Sequence, residues 1–288
     1  MSGPVLSIVI VNWNTRNLLK SCLQSVREET NISQEIWVVD NGSTDGSPEM
    51  VRREFPDVHL IANTDNKGFA AANNQALPLC TGEYVLLLNS DTVVLEGALD
   101  GMVAHMHANP KVGALGCKLL NADGTLQPSA HRFYSTARSL VENRLAHMLW
   151  RKRHANTPFL SFWDHGNTRQ VDWVCGAVLM LRREVIAKVG LLDDSFFMYG
   201  EEIDWQMRMT KAGFGIWFLP SARIIHYGGG SSRQAVTQMK KMEYKSREMF
   251  VEKHYPPLAR AVYKAKTSVG IAFWQAMGKL RRQPVQVR

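Results

Sequence analysis

The chain has 288 residues, 45% hydrophobic and 21% charged, which are the proportions of a soluble globular unit long enough to bury a large core. Its net charge of +8 is lopsided: residues 231–288 hold 13 Lys/Arg against 3 Asp/Glu, a balance of +10, while the first 230 residues carry 21 against 23. A second basic strip at 131–153, with six Arg/Lys and one Glu, leaves the rest of the body acidic, so a uniformly basic nucleic-acid-binding surface is excluded.

In chain order, Val5–Val11, Ile36–Val39, Val58–Ala62, Tyr84–Leu88 and Val112–Cys117 read as strands buried on both faces, because they are apolar without alternation. Between them Leu18–Glu28, Pro48–Phe55, Ala70–Leu77 and Leu95–Ala108 carry helical spacing. This succession predicts an α/β fold: a mostly parallel, Rossmann-like central sheet flanked by helices. Residues 121–170 lose the pattern. Then Val174–Leu181 reads as a strand, Arg183–Val189 and Glu202–Ala212 as helices, and Ile216–Leu219 and Arg223–His226 as two strands. A Gly228-Gly229-Gly230 turn separates the body, 1–230, from a basic helical extension, 231–288, with helices over 234–254 and 258–280 broken by Pro256-Pro257.

Four dispersed cysteines, Cys22, Cys80, Cys117 and Cys175, form no C-x-x-C pair, which argues against a zinc module or a disulfide framework and fits a reduced, cytoplasmic setting. No signal-peptide pattern opens the chain, and no uninterrupted apolar run approaches membrane-spanning length.

Open parallel sheets bind ligands beyond the carboxyl ends of their strands. There the chain places Asn12-Trp13-Asn14, Asp40-Asn41-Gly42-Ser43-Thr44-Asp45-Gly46, Asn63-Thr64-Asp65-Asn66-Lys67-Gly68 and Asn89-Ser90-Asp91. Asn, Asp and Gly are ordinary turn formers, yet four consecutive strand ends deliver them to one edge. The P-loop and dinucleotide fingerprints are absent, and the Asp40–Gly46 loop lacks the closing Glu of a calcium loop. A sugar attached to a nucleoside diphosphate would need an aromatic face and an acceptor for its base, which Trp13 and Asp40 can supply. It would also need a hard cation at the diphosphate, for which Asp91 and His226 are candidates. His226 at a strand end is equally readable as structural. The cluster Glu201-Glu202-Ile203-Asp204 suits a general base whose pKa is raised by repulsion and burial, or complements a helix dipole.

The ordered motifs Val-Asn-Trp-Asn, Val-Val-Asp-Asn-Gly-Ser-Thr-Asp-Gly-Ser, Asn-Lys-Gly-Phe-Ala-Ala-Ala-Asn-Asn, Leu-Leu-Leu-Asn-Ser-Asp-Thr and Phe-Met-Tyr-Gly-Glu-Glu-Ile-Asp-Trp resemble those of family-2 inverting glycosyltransferases, most closely the rhamnosyltransferase-like branch, over about residues 5–230. The resemblance implies a GT-A fold, with residues 1–120 as the nucleotide-sugar half and 121–230 as the acceptor and catalytic half. It also implies a nucleotide-sugar donor (dTDP-rhamnose, or a UDP-hexose as second choice) and single displacement with inversion, assisted by Mg²⁺ or Mn²⁺.

By motif position, Trp13 would stack on the base and Asp40 would bond it, with Val11, Asn12, Asn14, Asn41, Asn89 and Ser90 also binding the nucleotide sugar. Asn66, Lys67, Gly68, Asn73 and Asn74 would line the nucleoside pocket. Asp91 would bind the metal, with His226 as its second ligand. Asn89 stands where the family's metal motif has an acid, and Glu202 stands at the position of the base, where an Asp is usual. Glu201 and Asp204 remain alternatives for that role.

A nucleotidyltransferase would need a glycine-rich basic signature near the first strand, and a non-catalytic sensor would not need the carboxylate cluster. Over 258–282 the apolar Val262, Ala265, Val269, Ala272, Phe273, Ala276 and Leu280 fall near one helical stripe, with basic residues largely off it. That pattern suits an anionic membrane surface or a helix packed on the body. The strip from 131 to 163 adds Trp150, Phe159, Phe162 and Trp163, another interfacial composition. The expected acceptor is therefore a glycan or polyprenyl-diphosphate-linked hydroxyl, reached from the cytoplasmic face of a membrane, with no nucleic acid as partner.

Overall fold

The structure, a computed structural model, describes residues 3–133, 163–228 and 236–265. Four strands, β1 (Leu6–Asn12), β2 (Gln34–Asn41), β3 (His59–Asn63) and β4 (Tyr84–Asn89), form a parallel block in the order β3-β2-β1-β4. Helices α1 (Arg16–Glu29), α2 (Ser47–Glu54) and α3 (Phe69–Ala76) connect them. The β1 side chains alternate between two cores: Leu6, Ile8 and Ile10 meet α1 and α2 residues on one face, and Val9 meets Ala70, Ala72 and Ala76 of α3 on the other. Burial on both faces explains the unbroken apolar run. β3 differs from that expectation, because it is the sheet's edge and none of its residues is fully buried.

After β4 come β5 (Thr92–Val94), α4 (Ala98–Ala108), β6 (Val112–Leu120), β7 (Leu126–Gln127) and β8 (Ala130–His131). These are followed by β9 (Arg169–Val171), β10 (Trp173–Val174), β11 (Val178–Arg182), α5 (Arg183–Val189), α6 (Glu201–Lys211), β12 (Gly215–His226) and α7 (Val236–His254). The parallel run does not simply continue into β6, because β11 inserts between β4 and β6 and is antiparallel to both. Beyond β6 the sheet continues through β12, parallel to β6, and ends at β5.

The two strands expected at 216–219 and 223–226 are one strand, β12, whose register on β6 shifts between Leu219 and Arg223. The strand expected over 174–181 is divided, with Val174 pairing in the separate two-stranded β10-β8 sheet. The result is an α/β fold in which α1, α2 and α4 cover one face and α3, α5 and α6 the other.

Helix α7 packs on the rest of the molecule. Phe250 and Val251 of α7 pack with Phe196, and Ile203 and Met207 of α6 border that cluster. A further helical stretch covers 257–265, and the rest of the expected 258–280 helix lies outside the described residues. Most of the 131–163 strip lies outside them too, although Trp163 is described and fully buried against Phe218. All four cysteines are free thiols.

Candidate active site

The carboxyl ends of β1, β2 and β4 open on a cleft of about 220 Å³. Val11 and Trp13 come from β1 and the loop after it, Asn41 from the end of β2, and Asn66 and Phe69 from the approach to α3 and its first residue. Asn89, Ser90 and Asp91 come from β4 and its exit, and His226 from the end of β12. Cys175, Gly176 and Ala177, Met198 and Tyr199, and Glu201 and Glu202 complete the lining.

Beneath the loops that follow β1, β2 and β4 lies a closed polar network. Asn12, fully buried, donates from Nδ2 to Asp40 Oδ2 (2.8 Å) and Ser43 Oγ (3.2 Å), and its Oδ1 accepts from Thr15 Oγ1 (2.6 Å). Thr15 Oγ1 in turn meets Ser90 Oγ at 2.9 Å, tying the β1 and β4 exits together. Asn14, with φ 52°, donates its backbone N–H to Ser43 Oγ and accepts from the Thr44 N–H, each at 2.8 Å.

Asp40 is 1% exposed, and its other oxygen accepts the Ser43 N–H at 2.8 Å. It therefore lies below the cleft surface, outside the lining. Lys67 is exposed and paired with Asp65 at 3.0 Å. Gly68, at φ +86°, packs where any Cβ would strike the Phe197 carbonyl oxygen at 2.5 Å. Neither Asn73 nor Asn74 lines the cleft. Asn73 donates to the Phe69 carbonyl within α3, and Asn74 exchanges two hydrogen bonds with the Leu192 backbone, at 2.8 and 3.1 Å. These two asparagines hold the helix and the 190–200 loop in place.

Asp91, only 7% exposed, faces His226: its Oδ1 is 3.2 Å from Nε2. Asn89 Nδ2 lies 3.4 Å from the same ring nitrogen, and His226 Nδ1 meets Gln127 Oε1 at 2.7 Å. One carboxylate and one imidazole form a donor pair that Mg²⁺ or Mn²⁺ accepts when diphosphate and water oxygens supply the remaining positions. No third His, Cys, Asp or Glu among the described residues joins them as a metal cluster. The donor set therefore fits a cation shared with a substrate better than one held by protein alone.

The acidic cluster divides. The backbone reverses through Tyr199 (φ 67°) and Gly200 (φ 95°), and α6 begins at Glu201 with three acids in its first turn. Glu201 is 4% exposed, and its Oε2 has no hydrogen-bond partner. Burial, and then the neighbouring Glu202, push its carboxyl well above the usual range. Glu202 is half-buried; burial raises its pKa too, although its Oε2 accepts the Gly200 N–H at 3.0 Å, a bond that favours the carboxylate. Burial thus raises both carboxyls, and a proton held there belongs to the pair.

Asp204, the second alternative for the base, is not among the residues that line the cleft. Two residues beyond Glu202, it is fully buried between α6 and α7, accepting from Arg208 Nε (2.9 Å), Lys253 Nζ (2.8 Å) and His254 Nε2 (2.7 Å). Burial opposes its ionisation, but bonds from His254, Lys253 and Arg208 win and hold the carboxyl far below its ordinary value.

Sequence reasoning missed Gly176, where a Cβ would sit 3.3 Å from the Glu202 Cβ and Cγ. It also missed Cys175, whose thiol burial pushes up to about 12. The Cys-Gly-Ala ahead of an apolar strand was the available signal. Gln127 fell in the stretch without pattern.

A family model described as Glycosyl transferase family 2 matches residues 7–187. The chain belongs to that family. Among its relatives is an N-acetylglucosaminyl-diphospho-decaprenol L-rhamnosyltransferase of Mycobacterium tuberculosis, 27% identical over 86% of this chain and 84% of the relative. The O-antigen biosynthesis protein RfbC of Myxococcus xanthus is 29% identical over 80% of this chain but 18% of its own length. Among solved structures, a mannosyltransferase of Pyrobaculum calidifontis in complex with GDP-Man and Mn²⁺ superposes with a TM-score of 0.61 at 19% identity, over 92% of this chain and 70% of that one. This establishes the GT-A fold of a family-2 glycosyltransferase. Glu201, Glu202 and His226 lie beyond the stretch that the family model matches.

Proposed function

We propose that this glycosyltransferase moves a sugar, rhamnose from dTDP-rhamnose, with inversion onto a hydroxyl of a lipid-linked or cell-envelope glycan acceptor. The observation that carries the reading is one cleft lined by both the Asp91–His226 pair and the Glu201–Glu202 pair. The rhamnosyl and polyprenyl parts of the reading draw on what the Mycobacterium tuberculosis relative is named for.

In this mechanism Trp13 offers its ring to the base, and Asn41 and Asn66 line the nucleoside side. Asp40 acts from below, fixing Asn12 and the Ser43 loop. A divalent cation on Asp91 and His226 would neutralise charge on the departing diphosphate. Glu202, ionised and open to the cleft, takes the proton of the acceptor hydroxyl as that oxygen attacks the anomeric carbon from the side opposite the nucleotide. Glu201, protonated beside it, keeps the pair at a single negative charge. Alignment of the two substrates in one cleft supplies much of the rate.

The acceptor's placement at an anionic membrane surface is supported by the start of the basic helical stretch, where Leu258 is 78% and Val262 44% exposed. No helix of the described residues is long and apolar enough to cross a membrane. Peripheral binding on the cytoplasmic face is part of the same proposal.

The test is incubation of the full-length protein with dTDP-rhamnose or UDP-hexoses, Mn²⁺ and an N-acetylglucosaminyl-diphospho-polyprenol, with products read by mass spectrometry and anomeric configuration by NMR. Transfer from dTDP-rhamnose with inversion is expected. Transfer only from a UDP-hexose would replace the donor, and retention of configuration would overturn the mechanism. Flotation with anionic vesicles addresses the membrane: the full chain should float at low salt, and removal of 258–288 should reduce that before donor binding changes.

A further inference from the structure

The hairpin that joins β6 to β7 carries a chain of side-chain hydrogen bonds that ends on the His226 ring. Asp123 Oδ1 accepts from Thr125 Oγ1 (2.6 Å) and from the Thr125 N–H (2.9 Å). Thr125 Oγ1 accepts from Asn121 Nδ2 (2.9 Å), and Asn121 Oδ1 accepts from Gln127 Nε2 (3.0 Å). Gln127 Nε2 also donates to the His226 backbone carbonyl (3.3 Å), which leaves Gln127 Oε1 directed at His226 Nδ1 at 2.7 Å.

The direction of every bond in this chain follows from its first member. An ionised carboxylate only accepts, so the Thr125 hydroxyl must donate to Asp123. The hydroxyl's free lone pairs then receive an amide N–H of Asn121, whose carbonyl is thereby turned to Gln127. Gln127 must spend its N–H₂ on Asn121 and present its carbonyl to the imidazole. Only a donor can answer that carbonyl, so Nδ1 carries the hydrogen. Nε2 faces the cleft, where Asn89 Nδ2 approaches it at 3.4 Å and Asp91 Oδ1 at 3.2 Å. With Nδ1 as the hydrogen-bearing nitrogen toward Gln127, Nε2 is the ring atom placed to ligate, and a divalent cation set against it and Asp91 takes the place that a shared proton would otherwise fill.

We propose that Gln127 is a positioning residue that fixes the His226 tautomer and ring orientation, so that Nε2 and Asp91 Oδ1 together present a ready pair of ligands to the divalent cation. The inference rests on the reading of Asp91 and His226 as metal ligands. Backing groups of this kind hold ligating imidazoles in orientation, and their removal costs about 10–100-fold in metal affinity. The turn supports the arrangement: Gly124 adopts φ +79°, and the Asn121 N–H closes on the Thr125 carbonyl at 2.8 Å, so the relay is built on a short, fixed hairpin.

The experiment titrates Mn²⁺ into full-length protein with dTDP or UDP, whichever stabilises the wild type, and reads free Mn²⁺ by its EPR signal, with thermal unfolding measured on the same samples. Gln127→Leu should weaken Mn²⁺ binding about 10-fold or more. Gln127→Glu keeps the acceptor toward Nδ1 and loses the amide donor, so it should retain Mn²⁺ affinity within about threefold while lowering the unfolding temperature. A purely structural Gln127 would give no such ranking, both variants losing stability and neither separating from the other in Mn²⁺ affinity. Equal Mn²⁺ affinities for Gln127→Leu and wild type overturn the inference. Asp91→Ala and His226→Ala test the underlying reading: unchanged Mn²⁺ binding in both removes the metal site itself, whereas loss in both with an unaffected Gln127→Leu removes only the role of Gln127.

Discussion

The two sides of the cleft are built on opposite principles. On the side of β1, β2 and β4, Asn12, Asp40, Ser43, Thr15 and Ser90 satisfy one another in a closed network that ties the three strand exits together. On the side of α6, Glu201 keeps an orphaned oxygen, Glu202 has a raised pKa, and the backbone before them passes through two left-handed residues. Polar groups spent on each other fix a surface, and polar groups held back are the ones open to chemistry. The α6 side is braced from behind, where Asp204 gathers Arg208, Lys253 and His254, and Ser246 of α7 donates to the Met198 carbonyl at 3.0 Å.

Glu202→Gln attacks the reactive side alone. It should lower turnover about 10²–10⁴-fold and leave the donor-induced thermal shift intact; a wild-type rate would exclude Glu202 as the base. In the wild type the acid limb of the rate profile should begin above the ordinary carboxylate range, because burial raises the Glu202 pKa and the rate needs its ionised form. Asp204→Ala removes the brace and strands three donors, which should cost about 3 kcal/mol in urea unfolding. Because the native pKa of Asp204 is depressed, its contribution is fully present above about pH 4 and fades as pH falls below that. The difference between Asp204→Ala and wild type should therefore shrink in acid.

Asn74→Ala frees the buried Leu192 backbone and should cost about 1–2 kcal/mol, sharpening the assignment of Asn74 to loop support over nucleoside contact. Donor binding that falls while stability holds would reverse that assignment. The smallest effect belongs to Glu201→Gln. With a raised native pKa, Glu201 withdraws stability as pH rises above about 4.3. The substitution should therefore raise the unfolding temperature more at pH 8 than at pH 4.5, and an equal effect at both would show that Glu201 titrates normally.

The parallel block was legible because strands buried on both faces are written as unbroken apolar runs, and Val85–Leu88 could be little else. The cleft was legible because Asn, Asp and Gly stood at each strand exit. What one strand cannot encode is its neighbour: nothing in Val178–Arg182 declares that it will lie antiparallel between β4 and β6. The acids divide by helix geometry. Glu202 and Asp204 lie two residues apart on α6, about 200° around its axis, so they face opposite ways. What the sequence does not say is which face meets the cleft and which meets Lys253 and His254 of α7. Asn73 and Asn74 fit a pocket motif by position but are spent on the Phe69 and Leu192 backbones. Gln127 became visible only when the hairpin brought it to a histidine far along the chain.

The insertion of β11 also bears on how the molecule comes into being. As the chain leaves the ribosome, β1 to β4 can pair at once, since all four are contiguous within the first 89 residues. The outer edge of β4, fully apolar from Val85 to Leu88, then has no neighbour until residues 178–182 have been synthesised. For that interval the nascent protein displays an unpaired hydrophobic strand, the feature that invites association between chains. Sheet closure waits on a distant segment, a long-range pairing of the kind that slows folding.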